Sequence, residues 1–158
     1  MHQGRLIPRL LLASVVLLYI PTIPAQEAAA PAAWPELDLA RFVFEHLDIS
    51  SFRNSTGPRR GRGERFLGDL GVQPNRVTET EAIADEGGWS YGVRILGKRD
   101  YNKDDVEEVL ICFSDRSLDG GSYNTTKHLI VQLVEGRAIA LAYTQDQEAE
   151  EAGCGSAR

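Results

Sequence analysis

The sequence predicts a single α+β domain, an N-terminal helix packed on a four- to five-stranded antiparallel sheet. Three observations carry that expectation. Apolar residues fall at helical spacing in one early segment and at alternate positions in most later ones. The later segments are joined by short links rich in Gly, Asp and Asn, which turn the chain back antiparallel rather than carrying it across through a second helix. The composition, 42% hydrophobic and 25% charged over 158 residues, is that of one globular body and excludes a collagen-like or wholly disordered chain.

Residues 1–25 read as a secretory signal peptide. Arg5 and Arg9 precede an unbroken apolar run from Leu10 to Ile20, Pro21 ends it, and Ile23-Pro24-Ala25 offers small or apolar residues for cleavage. That run is about half of the ~20 residues a helix needs to span a bilayer. Cleavage after Ala25 therefore leaves no transmembrane anchor and predicts a secreted or periplasmic protein. Losing Arg5 and Arg9 makes the mature chain more acidic than the −6 of the whole, a balance that excludes general nucleic-acid binding.

Residues 26–35, QEAAAPAAWP, are Ala- and Pro-rich and read as a flexible leader, with Trp34 as a contact within it. The domain is expected over 36–144. Its helix is predicted at 36–47, where Leu37, Ala40, Phe44 and Leu47 recur every three or four residues behind Pro35. Residues 50–71 lose all periodicity and read as a long loop rich in Gly and Arg. Strands are expected at 77–83, 89–95, 106–113, 129–134 and 138–143. In the second of these, Trp89, Tyr91, Val93 and Ile95 alternate with smaller or polar residues and are assigned to the core. Glu135-Gly136 supplies a two-residue hairpin turn. Residues 145–158 form an acidic, flexible tail. No repeat of 20–50 residues recurs, which excludes a propeller or solenoid.

One segment carries chemistry. Asp100-Tyr101-Asn102-Lys103-Asp104-Asp105-Val106-Glu107-Glu108 places oxygen-bearing side chains at alternate loop positions and again at its end, a spacing suited to a hard cation. The segment resembles the Asp-x-Asn-x-Asp-Gly-x-x-Asp calcium loops of FG-GAP and VCBS-type secreted repeats, in which such a loop also precedes a strand. The resemblance implies calcium as cofactor, with Asp100, Asn102, Asp104 and Glu108 as side-chain ligands and Val106 as the carbonyl ligand. Asp105 stands where those loops have Gly, at a cost of about 1 kcal/mol for a positive φ, and the loop occurs once. The stretches 51–60 and 100–126, with Gly120-Gly121-Ser122-Tyr123 as a turn, are similar to small exported bacterial proteins of unassigned function. That likeness implies export and a shared fold but no activity.

Arg53, Arg59, Arg60, Arg62 and Arg65 form a second candidate site, a guanidinium-rich loop able to meet the anionic groups of a polyanionic surface polymer. Cys112 and Cys154 are disulfide candidates in an oxidising compartment, where the loop they close is worth about 4 kcal/mol. A buried thiol at Cys112 with a loose one in the tail remains open on the sequence alone. His46 and His128 are isolated, no Gly-x-Ser-x-Gly elbow is present, and no catalytic residue is assigned. The expected function is thus an exported non-catalytic binding or envelope-associated module with a calcium loop, its partner unknown. The alternatives are a hydrolase using Asp100, Asp104, Asp115 or Asp119 as paired carboxylates, and polyanion binding by the Arg loop.

Overall fold

The computed structural model describes residues 33–52, 57–141 and Cys154. Residues 1–25, expected as a signal peptide, the expected leader as far as 32, Arg53 and all of the expected acidic tail except Cys154 lie outside the described residues.

The chain enters through Trp34, whose ring is buried in the main core. A helix, α1 (Leu39–His46), follows, with Ala40, Val43 and Phe44 on its buried stripe. It starts three residues later than the apolar spacing predicts. Asp38 takes a left-handed conformation, φ 55°, which blocks any earlier helical turn, and Leu37 is left 83% exposed instead of packing.

Seven strands form one mixed sheet, not the four or five antiparallel strands expected. They are β1 (Leu47–Asp48), β2 (Arg76–Val77), β3 (Glu81–Glu86), β4 (Trp89–Arg99), β5 (Glu108–Ser117), β6 (Asn124–Val134) and β7 (Arg137–Ala140). The spatial order is β1-β7-β6-β5-β4-β3-β2. From β2 to β7 every pairing is antiparallel; β1 lies parallel to β7, Leu47 beside Ala138 and Asp48 beside Ile139. The two surplus strands are edge strands of two residues each, too short to show any period. Leu47, assigned by spacing to the helix, is the first residue of β1.

Alternation along the central strands divides the side chains between two faces. Val109, Ile111 and Phe113 of β5 and Leu129, Val131 and Leu133 of β6 join Tyr91 and Val93 of β4 beneath α1 in the main core. On the opposite face Leu110 and Ile130 form a smaller cluster with Leu96, Tyr101 and Leu141. The region 50–71 is not wholly a loop. It contains short 3₁₀ turns at Ile49–Ser51 and Leu67–Leu70, and Leu67 is fully buried against the main core. Among the described residues, no helix is long and apolar enough to cross a membrane.

Candidate metal centre

The long hairpin β4–β5 is paired to its end, Arg99 opposite Glu108, and residues 100–107 close it. A bulge between Ile95 and Gly97 shifts the register just before the loop. Gly97 leaves room for the Tyr101 side chain, since a Cβ there would lie 2.6 Å from the Tyr101 hydroxyl. Tyr101 therefore folds back over the strand, with the Arg99 guanidinium 4.6 Å from its ring centre.

Three side chains organise the loop backbone. Asp100 Oδ1 accepts the N–H groups of Lys103 (2.6 Å) and Asp104 (3.2 Å), and Oδ2 accepts that of Asp105 (3.0 Å). Asn102 Oδ1 accepts from the Asp104 N–H at 3.0 Å, while its amide donates to Asp104 Oδ2 at 2.9 Å. Asp104 Oδ1 accepts from the Val106 N–H at 2.9 Å. These bonds hold Lys103 and Asp105 at φ 64° and 65°. Neither is Gly, and each left-handed residue costs roughly 1 kcal/mol. A buried hydrogen bond outside the loop anchors its far side, from the Trp34 indole to the Glu107 carbonyl at 2.9 Å. Lys98 pairs with the Glu107 carboxylate at 3.2 Å.

Glu108 is the unusual member. Its side chain is fully buried; Oε2 accepts the Tyr101 N–H at 2.8 Å, whereas Oε1 has no hydrogen-bond partner. A buried carboxylate oxygen without a donor is unfavourable. Asp100, Asp104 and Glu108 each present an oxygen within 4.8 Å of the other two. Burial pushes the Glu108 carboxyl above its ordinary 4.5, against the pull of the Tyr101 and Asn102 N–H groups, and the negative charges of Asp104 and Asp100 push it further. The donors are all oxygens, as calcium requires. Each carboxylate oxygen that accepts one N–H keeps a second lone pair, so the internal bonds do not exhaust the set. Calcium takes six to eight oxygens at about 2.3–2.6 Å. The three carboxylates can supply several, and the exposed side of Asp100, Asn102 and Asp104 is open to water. The three carboxylates are close enough together for one cation to reach an oxygen of each.

No protein-family model, curated protein or solved structure matches the chain.

The other sequence candidates are distributed elsewhere. Val106, expected as a carbonyl ligand, stays in the loop, where its N–H donates to Asp104 Oδ1, and the remaining candidates lie outside it. Arg60, Arg62 and Arg65 are exposed, while Arg59 lines a cleft on the core side of the sheet. The backbone of that loop is tied internally: Glu64 accepts the Gly61 N–H, and Asp69 accepts those of Arg65 and Phe66 at 2.8 and 2.9 Å. Cys112 and Cys154 are joined in a disulfide with Cα atoms 5.6 Å apart. His128 is the cross-strand neighbour of Cys112 and borders that bridge. His46 stacks on Phe42 with ring centres 4.2 Å apart, its Nδ1 3.0 Å from the Gly136 carbonyl oxygen.

The acids of the hydrolase alternative fall in two places: Asp100 and Asp104, whose oxygens approach within 4.8 Å, and Asp115 and Asp119 toward the far end of β5. Asp100 and Asp104 lie beyond the N-terminal end of β5. Asp115 lies near the other end of that strand, about 23 Å further on at ~3.3 Å per residue.

The two tryptophans exchange their expected places. Trp34, assigned to the leader, is 6% exposed in the core, and Trp89, assigned to the core, is 38% exposed. The sequence reading also missed Gly97 and the Tyr101 N–H. A lone Gly inside an alternating strand is the one mark that pointed to the bulge.

Proposed function

We propose that the protein is an exported, non-catalytic binding module whose β4–β5 loop holds one structural calcium ion. The observation that carries the ion is Glu108 Oε1, fully buried and without a donor, among the oxygens of Asp100 and Asp104. A cation is the partner that such an oxygen lacks. Asp100, Asp104 and Glu108 supply carboxylates, Asn102 an amide oxygen, and water the remainder. The ion's contribution is to folding: it ties the end of the central hairpin to the segment carrying Trp34, through the Glu107 carbonyl. Export is supported by the signal-like residues 1–25 and agrees with the Cys112–Cys154 bridge, since disulfides persist in oxidising compartments.

Thermal unfolding of the mature protein, first in chelator and then across a calcium titration, tests the ion. A ligand of the folded state at 100 times its dissociation constant stabilises by about 2.7 kcal/mol, so the midpoint should climb by several degrees. An unchanged midpoint at millimolar calcium sinks the ion. Expression with residues 1–25 in a bacterial host tests export. Protein recovered outside the cytoplasm should begin at Gln26, and retention of the intact chain in the cytoplasm would reject the signal.

A further inference from the structure

The cleft that Arg59 borders lies at the end of the sheet away from the calcium loop, and it goes beyond the reading above. It has a volume of about 730 Å³, and its lining includes Trp89, Tyr91, Asp115, Tyr123 and Leu70. That size falls within the range of roughly 300–1,000 Å³ typical of small-molecule sites. Trp89 and Tyr123 meet edge to face with ring centres 5.5 Å apart, and both are more than a third exposed. Tyr91 and Asp115 are directly opposed on β4 and β5, so their side chains stand together on the core face.

Asp115 is the anomaly. It is 2% exposed; Oδ2 accepts a long hydrogen bond of 3.3 Å from the Tyr123 hydroxyl, and Oδ1 has no partner. Burial raises its carboxyl above the ordinary 3.8, and burial first, then the Asp115 charge, raises the Tyr91 hydroxyl above 10.0. Among the described residues no cation offsets either effect: Arg59 is on the exposed rim, and desolvation and Tyr123 are the two influences on Asp115. A buried carboxylate at the floor of a cleft walled by electron-rich aromatic rings is complementary to one kind of group, a cation that also carries N–H. A neutral hydroxyl would satisfy the oxygen without using the charge or the ring quadrupoles.

We infer that the cleft between Trp89, Tyr91, Tyr123 and Asp115 binds a protonated primary amine carried on an aromatic or alkyl body. The ammonium pairs with the Asp115 carboxylate in place of the long Tyr123 hydrogen bond, and the apolar body lies along Trp89, Tyr123 and Leu70.

The experiment follows indole N–H resonances of the isotope-labelled, disulfide-bonded protein during titration with phenethylammonium. The neutral isostere 2-phenylethanol and the anion 3-phenylpropanoate are run in parallel. Trp89 and Trp34 are the two tryptophans, at opposite ends of the hairpin, so Trp34 is an internal control. The amine should shift Trp89 saturably, leave Trp34 in place, and bind at least about tenfold tighter than the alcohol, the scale of one charge-assisted hydrogen bond. Asp115→Asn should bring the amine down to the alcohol's affinity. The proposal is overturned if Trp89 does not move by about 10 mM amine, beyond the millimolar range of weak ligands. It is equally overturned if alcohol and amine bind alike, or if a folded D115N variant keeps the full amine affinity. The amine–alcohol comparison needs no variant and stands even if D115N does not fold. Since it is run in chelator, it also decides independently of the calcium loop.

Discussion

Tyr101 and Glu108 close the central hairpin against each other, the N–H of the first donating to Oε2 of the second at 2.8 Å while the second oxygen of Glu108 stays unpartnered. A carboxamide would keep the Tyr101 bond, remove the charge and bring two N–H donors beside Asp100 and Asp104. Glu108→Gln should therefore have opposite effects in two buffers. In chelator it should raise stability by about 1–2 kcal/mol, the scale of an unsatisfied buried group. In calcium it should fall below the wild type, because the gain from the ion is lost. Chemical unfolding of both proteins in both buffers reads the crossing; a variant that remains calcium-stabilised to the wild-type extent contradicts it.

The sequence carried the centre of the sheet and blurred its edges. Tyr91, Val93, Val109, Ile111, Phe113, Leu129, Val131 and Leu133 alternate because each strand has one face on the core, and periodicity reports burial. Leu47–Asp48 and Arg76–Val77 are too short to have a period, so β1, β2 and the single parallel pairing left no trace. Trp34 and Trp89 exchanged places because hydrophobicity ranks a residue without saying what lies beside it. Trp34 sits in a low-complexity stretch yet finds the Glu107 carbonyl and the edge of Phe42, 6.2 Å between centres. Trp89 sits at the end of a perfect alternation, where the core has already run out. At the loop, residue types and spacing indicated oxygen ligands. The burial of Glu108, which makes the cluster more than a polar turn, depends on strand packing that no local pattern encodes.

The bridge between Cys112 and Cys154 spans a sequence separation of 42. It joins a residue of the central strand to the chain's C-terminal segment, so its main effect is to shrink the unfolded ensemble. The chain-entropy relation puts that effect at about 4 kcal/mol. Reductant should lower the urea midpoint accordingly, and Cys154→Ser should lower it by the same amount while abolishing further sensitivity to reductant. A C154S protein as stable as the oxidised wild type would show that the bridge constrains nothing.

Leu67 is fully buried although it lies in a region without periodicity. If that region were simply solvated loop, truncation would change stability by no more than about 0.5 kcal/mol. The structure instead places Leu67 in the core with Phe44 and Phe113, so Leu67→Ala should cost about 2–4 kcal/mol, the transfer term plus the cavity left behind. Equilibrium urea unfolding at matched slope distinguishes the two outcomes.

Asp115 makes the acid side of the stability profile diagnostic. Its carboxyl is raised above 3.8 in the folded protein, chiefly by burial, with the Tyr123 hydroxyl pulling weakly the other way. Between the unfolded value and the raised one, the folded state holds more protons than the unfolded state, so this group's contribution to stability falls as pH rises. The benefit of a protonated Asp115 is complete below about 3.8 and is lost as pH climbs through the folded value. Asp115→Asn removes the buried charge at every pH. It should stabilise the protein at neutral pH by about 1–2 kcal/mol, gain nothing at the acid end, and flatten this part of the profile. The comparison is of D115N with wild type, pH by pH, because other carboxylates superimpose their own slopes on both. A difference that stayed constant from acid to neutral pH would mean that Asp115 keeps an ordinary carboxyl, and that the unpartnered oxygen in the cleft carries no strain for a ligand to relieve.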